Sequence, residues 1–275
     1  MKMILVVDAL NKHVHGGILD EMFRLRARVF GERLGWDVKI EDGREIDEFD
    51  HLDPAYVIGL DEDDNVVACV RALQTTGPHM LADVFSDILQ GQAPLRSATL
   101  WESTRFCVDT DRLMMTGRGA GTVSLATCEL MVGSLEYARA SGIEDIITVI
   151  DPVMNRVLKR SDNAPYDYVG ATVQMGKTKA LAALLDCSEE RIARVRAFAG
   201  IEGDVFVDED ALSARRALRA KAASMSGNLS TEVLQYLIEQ LDAATTEHEV
   251  SAALALAEQL VGPGNEPSGK AVAAE

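Results

Sequence analysis

Residues 22–53 read MFRLRARVFGERLGWDVKIEDGREIDEFDHLD, an arginine-bearing aromatic helix set directly against a cluster of carboxylates. From Leu19 to Leu34 apolar residues recur at three- and four-residue steps through Met22, Phe23, Leu25, Val29 and Phe30, the period of an amphipathic helix. Gly35 predicts its end. After Trp36 the chain turns acidic, with Glu41, Asp42, Glu45, Asp47, Glu48, Asp50 and Asp53 crowded into a segment of almost no helix or strand period. Such a segment is either a solvated loop or a site. Phe30 and Trp36 are correspondingly either core anchors or part of that site.

Two further stretches bear on the choice. VVACVRALQT, residues 66–75, is an apolar strand-type run broken by Arg71, and a charge in such a run must find a partner because burial strips its hydration. Asp47 and Asp50 are the candidates. ATLWESTRFCVD, residues 98–109, is again of strand type but carries Glu102 and Arg105. Three residues apart on a regular strand, these side chains fall on opposite faces unless the strand bulges.

Outward from these stretches, the sequence predicts strands at MILVV, near 55–60 and at DIITVI, and a short helix MLADVFSDIL with Phe85 on its apolar side. A glycine-rich turn, TGRGAGT, leads into a long helix. Asp151 N-caps another helix with Pro152 at its first position; strand-like YVGATVQMG and KTKALAALLD follow, then the basic helix SEERIARVRAF. Strands mixed with helices on both sides predict an α/β fold around one central sheet. From about Asp208 alanine, leucine and glutamate dominate, with helices expected over 208–223, 230–243 and 247–261. The organisation expected is a domain over 1–207, a helical extension over 208–261 and a disordered tail over 262–275.

At 275 residues and 47% hydrophobic, the chain can bury a full core. No apolar run reaches the roughly 20 residues needed to cross a bilayer, and the MILVV start lacks a basic leader and a cleavage site, so membrane insertion is not expected and the expected location is cytoplasmic. The net charge of −17 argues against nucleic acid as a partner. Residues 156–196 run against that balance, with eight Lys and Arg to five Asp and Glu. Arg156, Lys159 and Arg160 are spaced to share one helix face, suited to an acidic partner or simply solvated. Cys69, Cys107, Cys128 and Cys187 form no CxxC pair and read as buried reduced thiols. His13 and His15 lack an evident third ligand, so no metal is expected.

Arg26, Phe30, Trp36, Asp47, Asp50, Arg71, Phe85, Glu102 and Arg105, in this order, resemble the signature of the LuxI-type acyl-homoserine lactone synthases, the autoinducer synthases of quorum sensing. The motifs are RARVF, RLGW, EIDEFD and ESTRF, and the resemblance covers roughly residues 3–200. It implies a GNAT-like N-acyltransferase fold, a central mixed sheet flanked by helices. It implies an enzyme that takes S-adenosylmethionine and an acyl thioester, on acyl carrier protein or coenzyme A, and releases an N-acyl-homoserine lactone with 5′-methylthioadenosine, without a cofactor. Family members commonly end near the basic helix, so the helical extension is a departure. The Gln or Arg that acetyltransferase-like folds place three residues before the first glycine of the phosphate turn is also absent, Met114 standing before Gly117. A carrier-bound phosphopantetheine, with its single phosphate, suits that departure better than coenzyme A.

The resemblance assigns catalytic roles to Glu102, Arg105, Asp47 and Asp50, with Glu102 as the base that takes the amine proton. Arg26, Phe30, Trp36 and Arg71 fall on the S-adenosylmethionine side: Arg26 or Arg105 for the substrate carboxylate, Asp47, Asp50, Phe30 and Trp36 for its sulfonium and ammonium, Arg71 as a brace for the acidic loop. An acyl pocket is expected from Phe85, Thr104, Phe106, Leu125, Thr148 and Val149, with Met131 nearby, and Thr148 stands where a threonine accompanies 3-oxo chains. Carrier docking falls to Arg156, Lys159 and Arg160. Two other readings remain: a related N-acyltransferase acting on a different amine, or a ligand-binding relative without the chemistry. The sequence leaves chain length and oligomeric state open.

Overall fold

The computed structural model describes residues 4–115, 123–224, 231–244 and 247–261. The glycine-rich turn at 116–122 and the tail from Gly262 lie outside the described residues. The chain divides into two units, Met1–Phe206 and Val207–Glu275.

In the first unit the order is β1 (Ile4–Val7), α1 (Gly16–Arg26), β2 (Ile40–Glu41), β3 (Arg44–Glu45), β4 (Ala55–Leu60), β5 (Val66–Gln74), α2 (Met80–Asp83), β6 (Leu100–Val108), α3 (Thr110–Met115), α4 (Leu125–Ala140), β7 (Asp145–Ile150), α5 (Pro152–Arg160), β8 (Asp167–Met175), β9 (Thr178–Asp186) and α6 (Glu189–Ala199). Beyond Arg26 the helix α1 widens into π-helical turns over Ala27–Arg33, closed by Leu34 N–H to Val29 O at 3.0 Å and Trp36 N–H to Phe30 O at 2.9 Å. Gly35, at φ +63°, takes the left-handed conformation that ends it. The expected helix boundary therefore holds, while the widened turns shift the register of everything past Arg26.

Seven strands form one sheet in the order β1-β4-β5-β6-β7-β9-β8. Every neighbouring pair is antiparallel except β6 and β7, which run parallel over Leu100–Ser103 against Asp145–Thr148. β6 continues to Val108 and β7 to Ile150 without further pairing to each other, so the two strands part beyond Ser103 and Thr148. Caps explain the helix starts: Ser124 Oγ accepts Thr127 N–H, Asp151 Oδ1 accepts Met154 N–H and Ser188 Oγ accepts Arg191 N–H.

Each sheet face carries its own core. Beneath α4, Leu130, Met131 and Val132 meet Ile4, Val57, Val70, Val108 and Ile150. On the other face, Leu81, Ile88 and Leu89 cover Leu100, Ile147, Ala182 and Leu184, with Phe85, Val149, Val169 and Val173 packed around them. There the 3-10 turn Ser86–Leu89 lies against β8 at Gly170, where an added Cβ would stand 2.0 Å from Ile88 O. The second unit comprises α7 (Glu209–Ser224), α8 (Thr231–Ala243) and α9 (Glu247–Val261), close to the expected helices, with Ala214, Leu218, Leu237, Leu241 and Ala253 as its shared core.

Candidate active site

The acidic segment is not simply a solvated loop, since Glu45, Asp47 and Asp50 turn inward into an ion-paired network while Glu41, Asp42, Glu48 and Asp53 stay exposed. Asp47 caps the 3-10 turn Glu48–Leu52, accepting Phe49 N–H at Oδ1 at 2.9 Å, while Asp47 N–H donates to Asp50 Oδ2 at 2.8 Å. This reciprocal cap fixes both carboxylates on one side of the turn. β3, the second strand of a short hairpin with β2, brings Glu45 to the same place.

Three arginines from three elements converge on these carboxylates. Arg26, at the end of α1, donates Nε to Glu45 Oε2 at 2.5 Å and grips Asp50 with Nη1 and Nη2 at 2.8 and 2.9 Å. Arg71 of β5 forks onto Asp47 at 2.5 and 3.0 Å, reaches Asp50 Oδ1 at 2.8 Å and donates Nε to Thr104 Oγ1 at 3.0 Å. Arg105 of β6 donates to Glu45 Oε1 at 2.9 Å and to Asp47 Oδ2 at 2.8 Å. Tyr56 adds its hydroxyl to Asp50 Oδ1 at 2.8 Å.

Three guanidiniums thus face three carboxylates, and the network is neutral as a whole. Burial works to raise the pKa of Asp50, but Arg26 and Arg71 outweigh it and hold the carboxyl well below the usual range. The side chains of Arg26 and Arg71 are 0% exposed, while Arg105 and Asp47 show 10% and 12%, so the network meets solvent at those two.

Among the described residues, Nη1 of Arg105 is the only guanidinium nitrogen of the three without an oxygen partner; its contact is Met80 Sδ at 3.6 Å. The Arg105 guanidinium lies 5.6 Å from the centre of the Phe30 ring, on which Trp36 stacks at 5.0 Å. Phe30 is buried and Trp36 is 43% exposed, an aromatic wall beside the open end of the network.

A bulge puts Glu102 and Arg105 on one face. Cys69 pairs with Cys107 and Arg71 with Thr104, leaving one extra residue on β6 between these pairs, and Arg105 takes φ +56° there. Glu102 is fully buried; its two oxygens accept the N–H groups of Met80 and Leu81, both at 2.6 Å, at the start of α2. Burial pushes its pKa up to about 7 against the opposing pull of those N–H groups and Arg71. Met80 links the two halves of the site, since its sulfur lies 3.3 Å from Arg71 Nη2.

Other expected residues are placed differently. Arg26 is poorly placed for a substrate carboxylate, because it is 0% exposed and each of its three guanidinium nitrogens already bonds Glu45 or Asp50 inside the core. The six acyl-pocket residues do not share a face. Phe85 and Val149 join the cluster around Leu81 and Ile147; Phe106 packs into the core beneath α4, with Met131; Leu125 is exposed at the start of α4; Thr104 is held by Arg71. Thr148 faces the α4 side with Ile146 and Ile150, and donates to Ser103 O at 2.9 Å where β6 and β7 part. Arg156, Lys159 and Arg160 are exposed on α5, Lys159 standing 5.8 Å over the Tyr168 ring, and Arg156 and Arg160 form no ion pair among the described residues. Glu45 and Tyr56 are partners that spacing alone did not single out. Among the described residues no group of three or more His, Cys, Asp or Glu is arranged to hold a metal ion, and no helix is long and apolar enough to cross a membrane.

A family model described as autoinducer synthase matches residues 10–195. An acyl-homoserine-lactone synthase of Rhizobium radiobacter is 37% identical over 193 residues, 70% of this chain and 90% of that protein. One from Agrobacterium fabrum (strain C58 / ATCC 33970) is 36% identical over 192 residues, again 70% and 90%. Among solved structures, the CoA-dependent acyl-homoserine lactone synthase MesI aligns with a TM-score of 0.63 at 26% identity, over 74% of this chain and 99% of that one. BjaI, with SAM and isopentyl-CoA, aligns with a TM-score of 0.64 at 23% identity over 73% and 90%, a likeness of fold. The mixed sheet flanked by helices is accordingly the GNAT-like fold.

Proposed function

Since the chain belongs to the autoinducer synthase family, we propose that it is an N-acyl-homoserine-lactone synthase that acylates S-adenosylmethionine from an acyl thioester and closes the lactone with release of 5′-methylthioadenosine. The observation that carries this reading is the neutral arginine–carboxylate network, in which, among the described residues, every guanidinium nitrogen except Nη1 of Arg105 has an oxygen partner.

A substrate carboxylate replaces the Met80 thioether, a weak acceptor, at that nitrogen. The sulfonium then lies against Trp36 and Phe30, whose ring faces favour a cation, and the ammonium against Asp47. Arg71 braces the acidic turn, as its fork onto Asp47 and its bond to Asp50 support. The amine must be neutral to attack the thioester carbonyl, and its own pKa of roughly 7.7 to 8.0 demands only a modest base. Glu102 fills that role, by way of a water, since a carboxyl pushed up to about 7 is matched to the proton it receives. Backbone N–H groups of β6 past Ser103, which β7 no longer pairs, serve the oxyanion. In the second step the carboxylate attacks its own γ-carbon; the sulfonium is already a good leaving group, and holding the two ends together supplies most of the acceleration.

Carrier protein is the donor this reading favours. The basic face of α5 stands out on a chain of net charge −17, and Arg156 and Arg160 have no ion pair to give up among the described residues. The test is mass spectrometry of extracted medium from a bacterial host that makes no lactones, with and without this gene and with a Glu102→Gln control. A lactone made only with the intact protein establishes the reaction and identifies the chain. Soluble protein that leaves S-adenosylmethionine unconsumed, with acyl carrier protein and coenzyme A donors supplied in vitro, overturns it in favour of another amine acceptor.

A further inference from the structure

The bulge that turns Arg105 toward Glu102 needs something to hold it. It is bracketed by two side-chain pairs that cross from β5 to β6. On one side Arg71 Nε donates to Thr104 Oγ1 at 3.0 Å. On the other stand Cys69 and Cys107, register partners whose sulfurs are 3.5 Å apart, and the Cys69 thiol donates to Arg105 O at 3.7 Å. Both cysteines are buried, at 1% and 3% exposure.

We propose that Cys69, backed by the Cys107 thiol, is a positioning residue that fixes the Arg105 main chain and so aims its guanidinium. The inference rests on the reading of Arg105 as the receiver of the substrate carboxylate. The direction of the relay follows from the geometry. Cys69 has one proton, and Arg105 O is an acceptor only; the Cys107 S–H therefore points at Cys69 Sγ and the Cys69 S–H at the carbonyl. Burial keeps Cys107 protonated, as the relay requires. A small apolar residue would fill the same buried space, but only a donor reaches the carbonyl of a residue held at φ +56°. A thiol suits the position because it packs as a hydrophobe and still carries one weak donor.

The experiment compares Cys69→Ser, which keeps a donor, with Cys69→Val, which keeps apolar bulk and loses it. Each full-length variant is assayed for KM toward S-adenosylmethionine and for kcat at saturating acyl donor, alongside its thermal midpoint. The expected result is a KM within about twofold of wild type for Cys69→Ser and a rise of about fivefold for Cys69→Val, with kcat little changed, the size expected of one hydrogen bond. Equal KM values for the two variants, or a wild-type KM in Cys69→Val, overturn the proposal. Should Cys69→Val not fold, Cys69→Ala removes the same donor with less bulk; a KM unchanged from wild type there has the same force. A wild-type protein that turns over no S-adenosylmethionine instead overturns the proposed function itself.

Discussion

Glu102 takes the backbone N–H of Met80 at 2.6 Å, so an acid on β6 closes the N-terminus of α2. Its pKa stands at about 7 in the fold against an ordinary 4.5. A raised carboxyl leaves stability intact below pH 4.5 and withdraws it as pH climbs through about 7. Over that window wild type should lose roughly 3 kcal/mol relative to Glu102→Gln, which cannot ionise. Thermal midpoints of the two proteins from pH 4 to 8 check this, and a constant difference between them contradicts it.

Arg71→Met leaves Asp47 and Asp50 short of a guanidinium in the core. Breaking a buried pair from one side costs about 3–5 kcal/mol, and the acidic turn should loosen, raising KM for S-adenosylmethionine more than it lowers kcat. Adding Asp47→Asn removes the excess negative charge of the network and should recover part of the stability. Urea unfolding of the single and double variants measures the coupling; strict additivity would show that the two residues do not act together.

Trp36 is 43% exposed and rests on Phe30, so its removal touches little of the core. Trp36→Ala should cost less than about 1 kcal/mol of stability, yet raise KM for S-adenosylmethionine roughly tenfold if its ring faces the sulfonium. Trp36→Phe should restore most of the affinity. A KM unaffected by the alanine variant excludes the ring from the substrate site.

Reversing charge at two positions of α5, Arg156→Glu with Arg160→Glu, should lower kcat/KM for an acyl carrier protein donor about tenfold or more and flatten its salt dependence. KM for S-adenosylmethionine should stay where it was. Steady-state rates at low and moderate salt decide, and an unchanged rate with acyl carrier protein places docking elsewhere.

Much of this was legible in the sequence because the periods are strong. The helix ending at Gly35, the strand around Arg71, the Asp151 cap and the helices past Asp208 follow from apolar spacing and end signals alone. The pairing of Arg71 with Asp47 and Asp50 followed from the cost of an unpaired buried charge. The bulge was legible only as a condition, since nothing in ESTRF marks which residue takes a positive φ. Glu45 was one acid among several, and hairpin register, not spacing, distinguished it. That the six residues expected around an acyl chain do not share one face was itself legible, because Thr148 and Val149 are neighbours on a strand, and neighbours face opposite ways.

Where the turn Ser86–Leu89 meets Gly170, the contact is main chain on main chain. Side-chain exchanges in the apolar cluster around it, at Phe85, Val169 or Val173, leave that anchor untouched. The same turn follows directly on α2, whose first N–H groups Glu102 holds. The apolar cluster can therefore be repacked by mutation while the main-chain anchor and the capped start of α2 keep their places, which separates the tolerance of this corner of the sheet from the rigidity of the strand that carries Glu102.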